Sequence, residues 1–293
     1  MNAAVSGVVT VAAPAKINLY LHVIARRADG YHELDSLMAF TELADSLTVE
    51  KAGTSMIEAS GPFADRLPDG EDNLVIRAAL ALAEATGRRP DVRFDLTKNL
   101  PVAAGLGSGS ADAAAALKGL AALWGLTEDT VDMIALAREI GSDVPACLLS
   151  TPVFVGATGE DLDPAPPLPR AGVLLVNPGV TLATLSVFEN RRGGFSPEMR
   201  FDEAPADVAA LAEILAEREN DLTEPALGLS PVIADVLAAL EAAPDCRFQR
   251  MSGSGATCFG LFDDQEAAEA AIPAVEREGW WVAATRFRET GTA

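Results

Sequence analysis

The chain has 293 residues, 49% hydrophobic and 22% charged, enough apolar material for one large core or two and too much for wholesale disorder. Lys and Arg number 22 against 43 Asp and Glu, and the net charge of -21 argues against a nucleic-acid partner, because phosphate backbones are gripped by basic patches. A small phosphorylated ligand stays open, since backbone N–H groups and a metal can hold one.

In chain order, residues 16 to 23 alternate strictly, with Ile17, Leu19, Leu21 and Val23 on one face and Lys16, Asn18, Tyr20 and His22 on the other. That period of two predicts a strand with one face on a core. Further strands are expected at 46–51 and 92–97, with a helix between them that carries Leu74, Ala78, Ala81, Leu82 and Ala85 and stops at Gly87. A second helix is predicted over 110–124, with Leu117, Leu120, Ala121 and Trp124 on one face, and a third from an N-cap at Thr127 to Ile140, stopped by Gly141. Four prolines between Asp163 and Arg170 can enter neither a helix nor a central strand, which places a domain boundary there: 1–162 and 163–293. Beyond it the pattern predicts a buried strand at 173–177 and a helix at 206–219. A helix opened by Ser230-Pro231 follows, then strands at 258–262 and 282–287 flanking a final helix. Strands and helices mix without a βαβα rhythm or internal repeat, so the expected class is α+β in two domains.

Chemistry concentrates in Pro101-Val102-Ala103-Ala104-Gly105-Leu106-Gly107-Ser108-Gly109-Ser110-Ala111, just before a strongly periodic helix. Glycine lets a ligand approach the main chain, and a helix N-terminus offers free N–H groups and partial positive charge, so the segment reads as a phosphate cradle. It is not a Walker A loop, for no Gly-Lys-Ser/Thr is present, and the residues between the strand at 92–97 and Gly105 disfavour a dinucleotide fingerprint. The protein-kinase His-Arg-Asp and Asp-Phe-Gly are missing too. A second small-residue loop runs from Met251 to Thr257, and Gly141-Ser142-Asp143-Val144-Pro145 forms a third segment; each alone is compatible with an ordinary turn.

Taken together, these segments resemble the galactokinase, homoserine kinase, mevalonate kinase and phosphomevalonate kinase (GHMP) family of small-molecule kinases. Pro101 to Ser110 is similar to its Pro-x-x-x-Gly-Leu-Gly-Ser signature and Gly253 to Ala256 to its later glycine motif. Ala13-Pro-Ala-Lys16-Ile-Asn18-Leu, Arg27-Ala-Asp-Gly30-Tyr31-His32, Asp72-Asn73-Leu74-Val75, Asn177-Pro-Gly-Val and Glu219-Asn220-Asp221-Leu222 resemble landmarks of the branch that acts on a cytidine-bearing substrate. Ser108-Gly109-Ser110-Ala111 departs from the glycines and paired serines more usual there, while keeping small residues and hydroxyls.

The resemblance implies the two-domain architecture of that family, with the active site in the interdomain cleft. It also implies transfer of the ATP γ-phosphoryl group to the 2-hydroxyl of 4-diphosphocytidyl-2-C-methyl-D-erythritol, a step of non-mevalonate isoprenoid synthesis. Lys16 and Asp143 would form the catalytic pair, Asp143 orienting the substrate hydroxyl more than abstracting its proton and Lys16 holding the reacting oxygens. The segment from Pro101 to Ala111 would wrap the ATP phosphates, Asn73 would lie near the adenine, and Mg²⁺ would bridge the phosphates with its protein ligands unassigned. Tyr31 and Phe188 would stack the cytosine, His32 would hydrogen-bond its edge, and Asn18 would contact the erythritol end. Another kinase of the family, acting on homoserine, mevalonate or a sugar, is the same-class alternative; a nucleotide-binding regulator without catalysis is the other.

Cys147, Cys246 and Cys258 lie far apart with no Cys-x-x-Cys, which predicts small core residues in a reducing compartment and no disulfide or thiolate metal site. Met1 to Val11 has no basic segment ahead of an apolar one, and no stretch is greasy enough to span a bilayer, so no membrane association and a cytoplasmic location are expected.

Overall fold

The structure is a computed structural model that describes residues 7–127 and 129–289. The reading of the first eleven residues as lacking a leader falls in part on residues 1–6, outside those described. The strands are β1 (Val8–Arg26), β2 (His32–Lys51), β3 (Met56–Ser60), β4 (Val92–Thr97), β5 (Val153–Ala157), β6 (Asp161–Pro164), β7 (Gly172–Asn177), β8 (Phe248–Met251), β9 (Cys258–Phe262) and β10 (Trp281–Arg286). The helices are α1 (Leu74–Thr86), α2 (Ser108–Trp124), α3 (Met133–Ile140), α4 (Val144–Leu149), α5 (Thr184–Asn190), α6 (Val208–Ala216), α7 (Thr223–Leu229), α8 (Val232–Glu241), α9 (Gln265–Ala270) and α10 (Ile272–Val275).

Contacts divide the chain into two compact units. The first holds residues up to 15, 44–102 and 107–149; the second holds 16–43, 103–106 and 150 onward. They interleave along the sequence because β1 and β2 are long enough to run from one unit into the other. The proline-rich stretch lies within the second unit, where Pro164 ends the edge strand β6, a place that tolerates a residue with no N–H.

In the first unit β4 lies between β3, which it pairs in parallel, and the last residues of β2, which it pairs antiparallel from Ser46 to Lys51. Helix α1 is capped at Asn73, whose side chain accepts from Val75 N, and stops at Gly87, whose φ of 62° closes the helix. Helix α2 packs against α1 and α4, and its run of buried alanines keeps those contacts close. Gly119, which interrupts that apolar run, has a packing reason: a Cβ there would stand 2.7 Å from Val49 Cγ2 of β2.

In the second unit β10, β7, β9 and β8 form an antiparallel sheet in that order. Helix α8 buries Ile233, Val236 and Leu240 with Leu174, Val176 and Phe262 of the sheet and Leu21 and Val23 of β1. Each such aliphatic side chain contributes about 2 kcal/mol by leaving water. The N-terminal end of β2 pairs β5 antiparallel, and β5 pairs β6.

Strands β1 and β2 run well beyond the expected 16–23 and 46–51, and four helix boundaries differ from the sequence expectation for a local reason. Helix α3 begins at Met133 because Asp132 accepts from Ala135 N, whereas Thr127 takes Thr130 as partner in a turn. Helix α2 begins at Ser108, two residues earlier than predicted, with Gly107 as N-cap. Helix α6 ends at Ala216, short of Glu219, because β1 claims the following backbone: Leu21 N donates to Glu219 O at 3.0 Å, and Asp221 N donates to Leu21 O at 2.9 Å. The final helix is two, α9 and α10, since Pro273 has no N–H with which to continue α9. Among the described residues the three cysteines form no disulfide, and Cys147 and Cys258 are buried.

Candidate active site

Strand β1 carries Lys16 and Asn18 on one face, and that face is as buried as the apolar one: Lys16 is 5% exposed and Asn18 2%. Alternation alone suggested only one core face; the second is closed by a hydrogen-bonded interior. Lys16 Nζ donates to Asn18 Oδ1 at 2.7 Å, and Asn18 Nδ2 donates to Ser36 Oγ at 2.9 Å. Asn18 N donates to Ser252 Oγ at 3.1 Å, and Ser252 Oγ donates to Gly105 O at 2.8 Å. Lys16 N donates to Leu106 O and Thr257 N to Ala104 O, so both glycine loops lie against the strand that bears the lysine.

Two glycines make this approach feasible. Gly105 has a φ of 80°, and a Cβ on it would stand 2.3 Å from Ser252 O. Gly253 has a φ of 57°, and its Cβ position lies 3.2 Å from Asn18 Oδ1 and 3.6 Å from Lys16 Nζ. Strand β1, residues 103–106 of the first glycine loop and the loop at 251–257 thereby meet within the second unit.

Along the first loop, Ala103, Gly105 and Gly107 take positive φ at alternate positions, the pattern that turns successive N–H groups toward a common concavity. Gly107 offers no capping side chain, so no N-cap side chain accepts from the first-turn N–H groups of α2 at Ser108, Gly109 and Ser110. Ser108 Oγ instead donates to Pro101 O at 3.0 Å, closing the loop on itself. Such a turn can accept phosphate oxygens.

Asp143 belongs to the first unit and Lys16 to the second. Asp143 is half-buried immediately before α4, and its carbonyl accepts from Cys147 N at 3.0 Å. Pro145 is tolerated in the first turn of that helix, where its N–H is not required. Asn73 has local work in both directions, capping α1 through Oδ1 and donating from Nδ2 to Pro68 O at 3.3 Å.

Of the residues expected at a nucleobase, His32 and Phe188 come together, with ring centroids 5.1 Å apart and planes inclined by 19°. Tyr31 is 67% exposed beyond the turn made by Gly30, whose φ is 92°. Burial, and then the charges of Arg26 and Arg191, lower the pKa of His32 below the usual histidine value, which favours the neutral ring near pH 7.

Sequence reasoning noted Asn177, Asn220 and Asp221 only as landmarks. Asn220 Nδ2 donates to both Met251 O and Gly253 O at 2.8 Å, pinning the second glycine loop. Asn177 Nδ2 donates to Thr257 Oγ1 at 2.8 Å at the other end of it. Asp221 accepts from Val23 N, Ser196 Oγ and Arg191. Ser252 lay within the second glycine loop but was given no role of its own, and Ser36 was missed, for no pattern marks a serine that meets Asn18 only in the folded chain.

The family pattern described as "GHMP kinases N terminal domain" matches residues 73–151, and "GHMP kinases C terminal" matches residues 203–280. The 4-diphosphocytidyl-2-C-methyl-D-erythritol kinase of Paramagnetospirillum magneticum is 50% identical over 276 residues, 94% of this chain and 96% of that protein. The protein of the same name from Rhodospirillum rubrum is 50% identical over 278 residues, covering 94% and 91%. A crystal structure of 4-(cytidine 5'-diphospho)-2C-methyl-D-erythritol kinase aligns with a TM-score of 0.76 at 37% identity, covering 96% of this chain and all (100%) of that one. A homoserine kinase from Cytophaga hutchinsonii shares the fold, with a TM-score of 0.72 at 20% identity, covering 97% and 96%.

Proposed function

Because the chain belongs to the GHMP kinases, and among them to the 4-diphosphocytidyl-2-C-methyl-D-erythritol kinases, we propose that Lys16 and Asp143 serve phosphoryl transfer from ATP to that substrate. The chain is an ATP-dependent kinase of this cytidylyl alcohol, and the proposed acceptor group is its 2-hydroxyl. The observation that carries the reading is the convergence of Lys16 and Asn18 with both glycine loops, which holds a buried ammonium against backbone shaped for phosphate.

Phosphoryl transfer demands positioning and charge neutralisation more than proton chemistry. The loop from Pro101 to Ala111 would take the phosphate oxygens on its N–H groups, with Asn73 on the adenine side. Asn18, hydrogen-bonded to Lys16 Nζ, keeps the ammonium from swinging away, so its charge would meet the transferred group at a fixed place. Asp143 would orient the acceptor hydroxyl toward phosphorus. Tyr31, His32 and Phe188 would recognise the cytosine, Tyr31 offering an open face for stacking and His32 its ring nitrogens to the base edge. Among the described residues no group of three or more His, Cys, Asp or Glu is placed to hold a metal ion. In the proposed reaction Mg²⁺ would be carried by the nucleotide's own phosphates and would neutralise their charge beside a protein of net charge -21.

A division by family domain into 1–162 and 163–293 is part of the proposal, supported by matched patterns at 73–151 and 203–280, while the compact units interleave differently along the chain. No helix among the described residues is long and apolar enough to cross a membrane, and a cytoplasmic place with a small-molecule partner is part of the proposal.

The deciding experiment measures ADP release with Mg-ATP and 4-diphosphocytidyl-2-C-methyl-D-erythritol beside homoserine, mevalonate and galactose. Turnover confined to the cytidylyl substrate supports the reading. Turnover of another acceptor instead would discard the cytidine pocket, and ATP binding without turnover of any would leave the regulator.

A further inference from the structure

The transfer chemistry makes no use of Lys98, Asp45 and Asp112, yet all three are buried in the first unit, at 0%, 1% and 2% exposure. Lys98 Nζ donates to Asp45 Oδ2 and, at 2.6 Å, to Asp112 Oδ2. Asp45 spends its other oxygen on backbone: Oδ1 accepts from Asn99 N at 2.6 Å and Leu100 N at 2.9 Å, the last two residues before Pro101. Asp112 stands where the second turn of α2 begins, four residues after Ser108, and among the described residues its Oδ1 has no hydrogen-bond partner.

One ammonium against two carboxylates does not balance. Burial raises the pKa of Asp112 to about 7, with Asp45 adding to the effect and Lys98 opposing it. An apolar core would hold β4 and α2 together at lower cost, so a buried ionic cluster with an unmet oxygen calls for a reason other than stability. Its placement supplies one, because its two carboxylates grip the chain on either side of the phosphate loop.

We infer that Asp45, Lys98 and Asp112 are positioning residues for the nucleotide: Asp45 fixes the backbone that leads into the loop, Asp112 fixes the helix that leads out, and Lys98 sets their separation. The Ser108 Oγ to Pro101 O bond then closes the loop between two clamped ends. A loop whose N–H groups must meet phosphate oxygens at hydrogen-bond distance loses binding and rate when one end drifts, and about 1 Å of misplacement can cost as much as a hundredfold. The inference rests on the reading of this loop as the nucleotide site.

The test is direct ATP binding by calorimetry on the full chain without acceptor, with KM and kcat measured separately. Asp112→Ala should weaken ATP binding about tenfold or more while the affinity for the cytidylyl substrate stays within about twofold. Asp112→Asn, which keeps the shape and an oxygen for Lys98, should bring ATP affinity back to within about threefold of the parent. Lys98→Met strands two buried carboxylates and is expected to fold poorly, so the Asp112 pair decides. A folded Asp112→Ala variant that is less stable yet binds ATP like the parent would make the cluster purely structural and overturn the inference. Equal loss of both ligands in the Ala and Asn variants would overturn it as well. If the parent binds ATP but phosphorylates nothing, the proposed reaction fails, and the binding comparison still decides this point.

Discussion

Replacing Gly105 by alanine tests the contact on which the site is built. The new Cβ would stand 2.3 Å from Ser252 O and 3.0 Å from Gly255 O, both backbone atoms that no rotamer change can move. It would also have to adopt a φ of 80°, in the region that costs an L residue about 1–2 kcal/mol. Relieving the overlap means parting the two glycine loops, an overpacking cost of about 1–3 kcal/mol more. The expected loss is therefore roughly 2–5 kcal/mol, read as a lower urea midpoint at unchanged m. Because Gly105 O accepts the Ser252 Oγ that also receives Asn18 N, the shift propagates to Asn18 and Lys16, and kcat should fall together with a rise in KM for ATP. Gly109→Ala is the control for stability: its Cβ would lie an ordinary 3.6 Å from Leu74 Cδ1, and alanine there should leave the fold as stable or slightly more so. A Gly105→Ala protein within about 1 kcal/mol of the parent, with KM unchanged, would refute the close packing of the two loops.

Asp143→Ala should abolish turnover while ATP affinity stays near that of the parent; near-normal turnover would remove Asp143 from the reaction. Tyr31→Ala should raise KM for the cytidylyl substrate about tenfold with kcat little changed, as loss of roughly 1–3 kcal/mol of base stacking requires, and an unaltered KM would take Tyr31 out of the pocket. The Asp112 carboxyl titrates near 7 in the folded chain against 3.8 as its ordinary value, so its contribution to stability is present at low pH and is lost as the pH rises through about 7. The shift corresponds to at most roughly 4 kcal/mol. Denaturation midpoints of the parent should therefore fall relative to those of Asp112→Asn between about pH 4 and 7, and parallel curves would show that Asp112 is ionised throughout.

The elements legible in the sequence were those whose signals are local. Strand β4 and helix α1 fall where alternation, helical spacing and Gly87 put them, because a period and a left-handed stop need no distant partner. Strand β9 and the start of α8 after Ser230-Pro231 follow for the same reason. The motif residues could be named at once, since glycines before a periodic helix and a lysine two residues from an asparagine are patterns along the chain. Long-range competition set the rest. The end of α6 depends on β1 taking the backbone of Glu219, about two hundred residues earlier in the chain, and no propensity within 208–219 encodes that. Strand β8 follows no period of its own and exists by pairing with β9. The interleaved units follow from the reach of β1 and β2 through both, which a proline-rich boundary could not reveal.

By itself the sequence determined which residue types were available to the chemistry: an ammonium, a carboxylate, a phosphate-shaped loop and aromatic rings, in an order that resembles one family of kinases. Only the tertiary structure decided that Lys16 is held by Asn18, that Ser252 reaches Gly105, and that Lys98 is buried between two carboxylates drawn from residues 45 and 112. The physical reason is that hydrogen-bond partners and desolvation are properties of a place, and a buried polar group takes its role from whatever the fold brings within about 3 Å of it.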